Sequence, residues 1–319
     1  MMRWFVDPWS PSYGSAFEAA DGPRAESSAA LDLDVEVPAD SWAPIAAPPD
    51  LRAPDTVLLV DGVRRTDALL WSNEGDGTSF AGLAASFAAG VVRCDLRSGT
   101  ADLPSPPRVK RGLFTASPTA TGLTNGGVRY EVHKVTRGEP AELQAAVQGP
   151  LTELEVEVAT AARSAGDGDR GDLLIVDGPL RGRQHLPRTI GYIKAHRKQY
   201  LPANQSTVVV ALAPGQRSPV FRLGTSWHRH TWYLRLPGPP GAPWTGMVRV
   251  ECSADLPATS AIALADLSTV TLPRFASAAY KDPRAPQNLV PIGGLERRLR
   301  ALLGDARLLH RCLTSAARV

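Results

Sequence analysis

The sequence predicts an α/β protein with a mixed β-sheet flanked by helices, and three patterns indicate this fold class. Two runs, VLLVDG at residues 57–62 and LLIVDG at residues 173–178, are apolar up to an aspartate. A run that is apolar at every position is typical of a strand covered on both faces. Between the two runs, Leu151, Leu154 and Val158 follow helical spacing. Strands, a helix, a buried strand and further strands together give a mixed sheet.

Residues 1–54 are rich in Pro, Ala, Ser and Asp, and we expect them to form an extended N-terminal arm. Within this arm, residues 31–37 alternate apolar and acidic side chains, which is typical of a half-exposed edge strand. Acidic residues are poor strand formers, so a loop is the alternative. We expect residues 55–319 to form a single domain.

The first core strand is expected to end at Asp61, where Gly62 lets the backbone turn into a second, antiparallel strand. The clearest helix spans Pro140–Arg163. The other predicted strands lie at 64–71, 80–92, 173–177, 207–212, 220–223, 231–236 and 247–252. A proline-rich connector is expected at 103–107, and a basic helix at 294–311.

Composition excludes several functional classes. The net charge of +3 is too small for a polycation, so a nucleic-acid surface must be local. No stretch approaches about 18 consecutive apolar residues, and the start has no long apolar segment, so neither a membrane span nor a signal peptide is expected. The three cysteines, Cys94, Cys252 and Cys312, lie far apart in the sequence. This spacing disfavours zinc and disulfides and fits the cytoplasm.

Two carboxylates are candidates for a metal site. If the strands that carry Asp61 and Asp177 are neighbours, both side chains reach one edge of the sheet, where they can bind Mg²⁺ or Mn²⁺. The alternative is that each Asp-Gly pair is an ordinary turn. On the predicted helix, Glu153 and Glu157 project away from the apolar stripe, whereas Glu155 lies within it. Glu155 is therefore a third candidate ligand, unless it lies at the margin and meets an arginine.

Three motifs resemble the NurA family of DNA-end-processing nucleases. They are VDG at 60–62, VDGPL at 176–180 and GYIK at 191–194, and the resemblance extends over roughly residues 55–305. It implies an RNase H-like fold, and a domain at 55–319 that cleaves DNA with Mn²⁺ or Mg²⁺. It also implies a partnership with a HerA-like hexameric ATPase, and we expect a homodimer.

The resemblance assigns catalytic positions to Asp61, Asp177 and Lys194. Glu155 is our choice for the helix acid, and Glu131 is its competitor because it too follows a strand-like run. The family has a histidine motif near its C-terminus that this chain lacks. Asp282 is therefore the candidate fourth metal ligand. Glu296 is the reserve, although it can also pair with Arg300, four residues later.

A basic cluster follows the second acidic strand. Lys194, Arg197 and Lys198 are expected to bind DNA phosphates, although a solvated charge run gives the same pattern. We therefore expect a cytoplasmic, metal-dependent deoxyribonuclease that processes DNA ends in repair. The alternative is a catalytically degenerate assembly protein that binds DNA or the ATPase. The sequence leaves open the strand preference and the choice between endonuclease and exonuclease.

Overall fold

The computed structural model describes residues 29–317, except 75, 165–170, 197 and 239–240. Most of the predicted arm and the candidate DNA-binding residue Arg197 therefore lie outside the described residues. None of the described helices is long and apolar enough to cross a membrane.

Strands and helices alternate as the sequence predicts for an α/β protein. The strands are β1 (Ala30–Asp32), β2 (Thr56–Asn73), β3 (Ser79–Asp95), β4 (Thr100–Asp102), β5 (Arg108–Thr115), β6 (Leu123–Asn125), β7 (Val128–Lys134), β8 (Leu173–Asp177), β9 (Thr189–Ile193), β10 (Phe221–Gly224), β11 (His228–Arg235) and β12 (Met247–Ser253). The α-helices are α1 (Pro140–Ala146), α2 (Gln148–Ser164), α3 (Ala203–Val210), α4 (Ala258–Thr271), α5 (Val290–Leu302) and α6 (Ala306–Ala316).

The chain divides into two compact units, each assembled from separate stretches of sequence. Unit 1 contains the described residues up to Leu59, together with Arg93–Ala101 and Asp169–Gly293. Unit 2 contains Val60–Val92, Asp102–Gly168 and the described residues from Gly294 onward. Strand β2 and helix α5 each begin in unit 1 and continue in unit 2.

The strands of unit 1 follow the order β1-β10-β11-β12-β9-β8, with the first residues of β2 beyond β8. Strands β10, β11 and β12 pair antiparallel, whereas β8 and β9 pair in parallel. A cluster of Trp42, Phe221, Tyr233 and Met247 forms part of its core. Trp42 shows that the segment before β2 packs into this unit.

Unit 2 has a sheet with the order β2-β3-β5-β7-β6. Strands β3 and β5 are antiparallel, and β5 and β7 are parallel. Ala84, Leu113, Tyr130 and Leu313 form a buried cluster that joins this sheet to α6. Both units thus contain parallel and antiparallel pairs, and the predicted mixed α/β architecture is confirmed.

The predicted turn at Gly62 is wrong. Strand β2 continues without interruption from Thr56 to Asn73, so the two predicted strands are one. Asp61 lies inside this strand rather than at its end. The alternating burial of Val63 to Asp67 explains the extension, because the chain keeps one face against a core after Gly62. The prediction for Asp177 is confirmed, because β8 ends at that residue and Gly178 has a φ of 110°.

Other element predictions need correction. The helix expected at 140–163 is two helices, since α1 ends at Ala146 and a turn at Val147 precedes α2. Residues 207–212 are not a strand but largely part of α3, in which Val209 is buried. The closing basic helix is also two helices, with a break at residues 303–305. The short β1 replaces the longer strand expected at 31–37.

Candidate metal centre

Asp61 is held rigidly within β2 of unit 2. Its relative exposure is only 7%, and the strand residues Val60 and Val63 on either side are buried as well. One carboxylate oxygen, Oδ1, accepts a hydrogen bond of 2.8 Å from the backbone N–H of Gly62. The extended backbone and this bond together fix the direction of the carboxylate.

Glu296 brings a second carboxylate to Asp61. The two side chains have carboxylate oxygens within 4.8 Å of each other. Helix α5 positions Glu296 because its neighbours Leu295 and Leu299 are buried against Gly90 of β3. Carboxylates at this separation repel each other, and a divalent cation removes the repulsion by binding both. Oxygen ligands of this kind suit Mg²⁺, Mn²⁺ or Ca²⁺.

Glu155 lies beside the same strand, one residue further along. It is 4% exposed, whereas Glu153 is exposed, so the predicted helical phase of α2 is confirmed. Its Oε1 atom is only 2.5 Å from the position of a Cβ added to Gly62. Gly62 therefore permits a close approach of helix to strand rather than a turn. Among the described residues of unit 2, the acid grouped with Asp61 as a possible cation ligand is Glu296, not Glu155.

Glu131, the competing helix acid, lies elsewhere. It is exposed on β7, opposite Gly112 in the parallel pair with β5. Glu157, expected to face solvent, lies at the surface and pairs with Arg108 and Lys110. Both side chains therefore lie on surfaces of unit 2 rather than in its interior.

Asp177 occupies a different environment in unit 1. It forms an ion pair with Lys194, whose Nζ is 2.6 Å from Asp177 Oδ2. The two side chains are only 10% and 13% exposed, so solvent screens the pair little. Lys194 follows the end of β9, which pairs in parallel with β8, and this register brings the two residues together.

An amide connects this ion pair to Asp282. Lys194 Nζ also donates to Asn288 Oδ1 at 2.9 Å, and Asn288 Nδ2 donates to Asp282 Oδ2 at 2.5 Å. The other oxygen of Asp282 accepts the backbone N–H of Arg284 at 2.8 Å. Gly293 lies against this group, because an added Cβ would be 3.3 Å from Asp282 Oδ2. The candidate fourth ligand therefore orients Asn288, and through it Lys194.

Glu251 holds the loop that follows Asp177. This fully buried carboxylate accepts the backbone N–H of Leu180 at 2.8 Å and pairs with Arg229 and Arg249. Gly191 makes room for it, since an added Cβ would lie 2.9 Å from Glu251 Cγ and from the carbonyl oxygen of Gly178. The VDGPL motif is thus fixed at both ends, by strand β8 and by a buried acid.

Tyr192 adds a further restraint to β9. Its hydroxyl donates to the backbone oxygen of Gln287 at 2.6 Å. Burial, and secondarily the negative charge of Asp177, raises the pKa of Tyr192 well above its usual value. The hydroxyl therefore stays protonated and serves as a donor, which anchors the segment that carries Asn288.

The predicted basic cluster separates into different environments. Lys194 lies in the ion pair with Asp177, whereas Lys198 is exposed. Between them, His196 is buried and its Nε2 lies 3.0 Å from the backbone oxygen of Met247. Burial lowers the pKa of His196 to about 4, so it is neutral at pH 7. Of the two described members of the cluster, Lys198 is thus the one that the structure exposes to a ligand.

Sequence reasoning missed Asn288 and Glu251 and ranked Glu296 only as a reserve. For Glu251 a signal existed, because Arg249 and Glu251 are the charged residues of the otherwise apolar strand β12, and charges in a buried strand require partners. No local pattern identifies Asn288, since its partners Lys194 and Asp282 lie in other segments.

A scan against protein-family models finds no match for this chain, and a search of curated proteins finds none either.

Proposed function

We propose that this protein is a metal-dependent nuclease that cleaves DNA phosphodiester bonds, with Asp61, Glu296 and Asp177 as ligands of a divalent cation. The observation that carries the proposal is the pair of carboxylates of Asp61 and Glu296, which have oxygens within 4.8 Å of each other. Mn²⁺ and Mg²⁺ favour such oxygen ligands. When bound between carboxylates, such an ion activates water and stabilises the leaving oxygen of a phosphodiester.

Asp177 is proposed as the third ligand because the resemblance to NurA nucleases assigns it a catalytic position. Lys194 occupies Oδ2 of Asp177, which leaves Oδ1 for a cation. This choice replaces Glu155 and Asp282 in the ligand set expected from the sequence.

The remaining residues then take supporting roles. Lys194 carries the positive charge beside Asp177 and is suited to a phosphate oxygen of the DNA. Asn288 and Asp282 hold the ammonium group at that position. Glu155 packs against the backbone at Gly62 and thereby fixes the neighbouring Asp61 carboxylate. Lys198, and Arg197 as its neighbour in the sequence, add positive charge for binding DNA.

The resemblance to NurA nucleases supports the same reaction and extends the proposal. It suggests an RNase H-like core, a homodimer, and work with a HerA-like hexameric ATPase in DNA-end processing. The described cysteines Cys94, Cys252 and Cys312 form no disulfide, which is consistent with the cytoplasm. The alternative remains an assembly protein of the same fold that binds DNA or the ATPase without cleaving it.

The test combines metal binding and cleavage. Titration calorimetry with Mn²⁺ should detect binding to the wild-type protein, and binding should be lost in Asp61→Asn and Glu296→Gln. Degradation of linear DNA should require Mn²⁺ or Mg²⁺ and stop in the same variants. Glu153→Gln, an exposed change on α2, is the matched control. A wild-type protein that binds neither ion would favour the assembly protein.

A further inference from the structure

The last two helices of unit 2 expose a set of arginines without partners. Each of these arginines is exposed, and its side chain makes no hydrogen bond or ion pair within the described part of the chain. They are Arg297, Arg298 and Arg300 on α5 and Arg307 and Arg311 on α6. We call this set the arginine surface.

Other arginines of unit 2 already donate hydrogen bonds to the backbone carbonyl groups at the end of α5. Arg65 donates to the carbonyl oxygen of Gly304 at 2.8 Å, and Arg111 reaches that of Leu303 at 3.5 Å. These carbonyls lie at the C-terminal end of α5, where cations are stabilising. Because Arg65 and Arg111 fill this role, the arginine surface is not needed to cap the helix.

Helix α6 is fixed so that its arginines face outward. Leu309 and Leu313 are buried on its inner side, and Asp305 caps its first turn by accepting the N–H of Leu308 at 2.8 Å. Arg307 and Arg311 each precede one of these leucines by two residues, which places them about 200° away around the helix. They are also four residues apart and so form one strip.

The charge of the chain is concentrated here. Residues 294–317 contain five arginines against Glu296 and Asp305, a formal charge of +3 that equals the net charge of the whole protein. The rest of the chain is therefore neutral in sum. A local positive surface on a balanced protein attracts a polyanion to one place.

We propose that the arginine surface binds the phosphate backbone of double-stranded nucleic acid. Arginine presents a planar fork of donors that matches phosphate oxygens, and each guanidinium here has its donors available. Residues 290–317 contain no Phe, Tyr or Trp. The large aromatic side chains that usually stack on the bases of single strands, or that anchor protein interfaces, are therefore absent from this segment.

The position of the surface connects it to the proposed metal centre. Arg300 follows Glu296 by four residues, about one turn of α5, so both lie on the same side of that helix. The inference rests on the proposed function in one respect, namely that DNA is the substrate. It adds a path for the duplex, which would extend from the cleaved bond along α5 to α6.

The test measures binding without metal, so that it does not depend on catalysis. Arg300, Arg307 and Arg311 are changed together to glutamine, and fluorescence anisotropy with a blunt 20-base-pair DNA duplex is recorded in EDTA over a salt series. The log–log slope should fall by about 0.9 for each lost phosphate contact, hence by roughly two to three. A change of all three to lysine should keep most of the slope, because the charge remains.

The control is a triple glutamine variant of Arg52, Arg129 and Arg137, which are also exposed but lie outside α5 and α6. Circular dichroism and thermal melting should show that both triple variants are folded. The inference is overturned if the α5–α6 variant keeps the wild-type slope, or if the control loses as much. Loss of cleavage in Asp61→Asn with an unchanged salt slope would support both proposals, whereas normal duplex binding by a protein that never cleaves would refute only the nuclease.

Discussion

Acidic residues of the two units meet very different neighbours. In unit 1, Lys194 and Asn288 lie between Asp177 and Asp282. Each contact in this series of side chains is a hydrogen bond from a donor to an acceptor. In unit 2, the carboxylates of Asp61 and Glu296 approach each other within 4.8 Å. The first arrangement contains a cation of the protein, Lys194. The second brings together two carboxylates for which we propose a cation from solution, so we expect function and stability to respond differently to changes in the two places.

The largest expected effect is on cleavage. Asp61→Asn should lower the Mn²⁺-dependent rate on linear DNA by at least about 100-fold, since charge stabilisation at the reacting phosphate is lost. Its midpoint of urea unfolding should stay the same or rise, because the repulsion from Glu296 is relieved. Full activity of this variant would break the assignment of Asp61 to the metal centre.

Lys194→Met, in contrast to Asp61→Asn, should clearly lower the stability of the fold. Removal of the ammonium group leaves Asp177 nearly buried without its cation, at a cost of about 3–5 kcal/mol. Urea unfolding of Lys194→Met and of the exposed control Lys198→Met should differ by this amount. Equal unfolding midpoints would show that the ion pair contributes little.

The pH dependence of unfolding gives a third test, which concerns His196 in unit 1. Burial lowers the pKa of His196 to about 4, below the value near 6.5 of an unfolded histidine. The unfolded chain therefore binds more protons between these values. The contribution of His196 is complete above pH 6.5 and is lost as the pH falls toward 4, by about 2–3 kcal/mol. Urea unfolding at several pH values should show this loss relative to His196→Gln, which keeps a donor for the Met247 carbonyl.

The last test concerns two glycines that pack against buried acids, Gly62 against Glu155 and Gly191 against Glu251, and it includes the smallest expected effect. Gly62→Ala meets the ends of two side chains, Glu155 and Leu151, and should cost about 1 kcal/mol. Gly191→Ala also meets the backbone oxygen of Gly178 and should cost about 3 kcal/mol. Melting temperatures would rank the two. A Glu155→Ala background should reduce the cost of Gly62→Ala and leave that of Gly191→Ala unchanged.

The sequence predicted what depends on local periodicity. The α/β class, the buried strand before Asp177 and the inward phase of Glu155 all follow from apolar spacing, and the structure confirms them. The predicted turn at Gly62 is wrong because an Asp-Gly pair suits a turn and an extended strand equally well. The packing of helix α2 on strand β2 decides between the two. The same is true of residues 207–212, whose β-branched side chains favour a strand until tertiary packing makes them a helix.

The candidate site was only partly predictable, because its members come from distant segments. Asp61 and Asp177 were identified from their strands, but the choice among Glu155, Asp282 and Glu296 depends on contacts between segments. Asn288 had no pattern at all. Spacing along a chain cannot show which acids share a cation when more than 200 residues lie between them.

Each unit is assembled from separate stretches of sequence, and this has a consequence during synthesis of the protein. Asp61 is made first, and Glu296 follows 235 residues later in the sequence. Until α5 has left the ribosome, a nascent chain holds Asp61 without its acidic neighbour, and the ligand pair proposed for the metal does not exist. Translation proceeds at about 5–20 residues per second, so this interval lasts on the order of ten seconds or more. The proposed nuclease would therefore gain its metal site only when its fold is nearly complete.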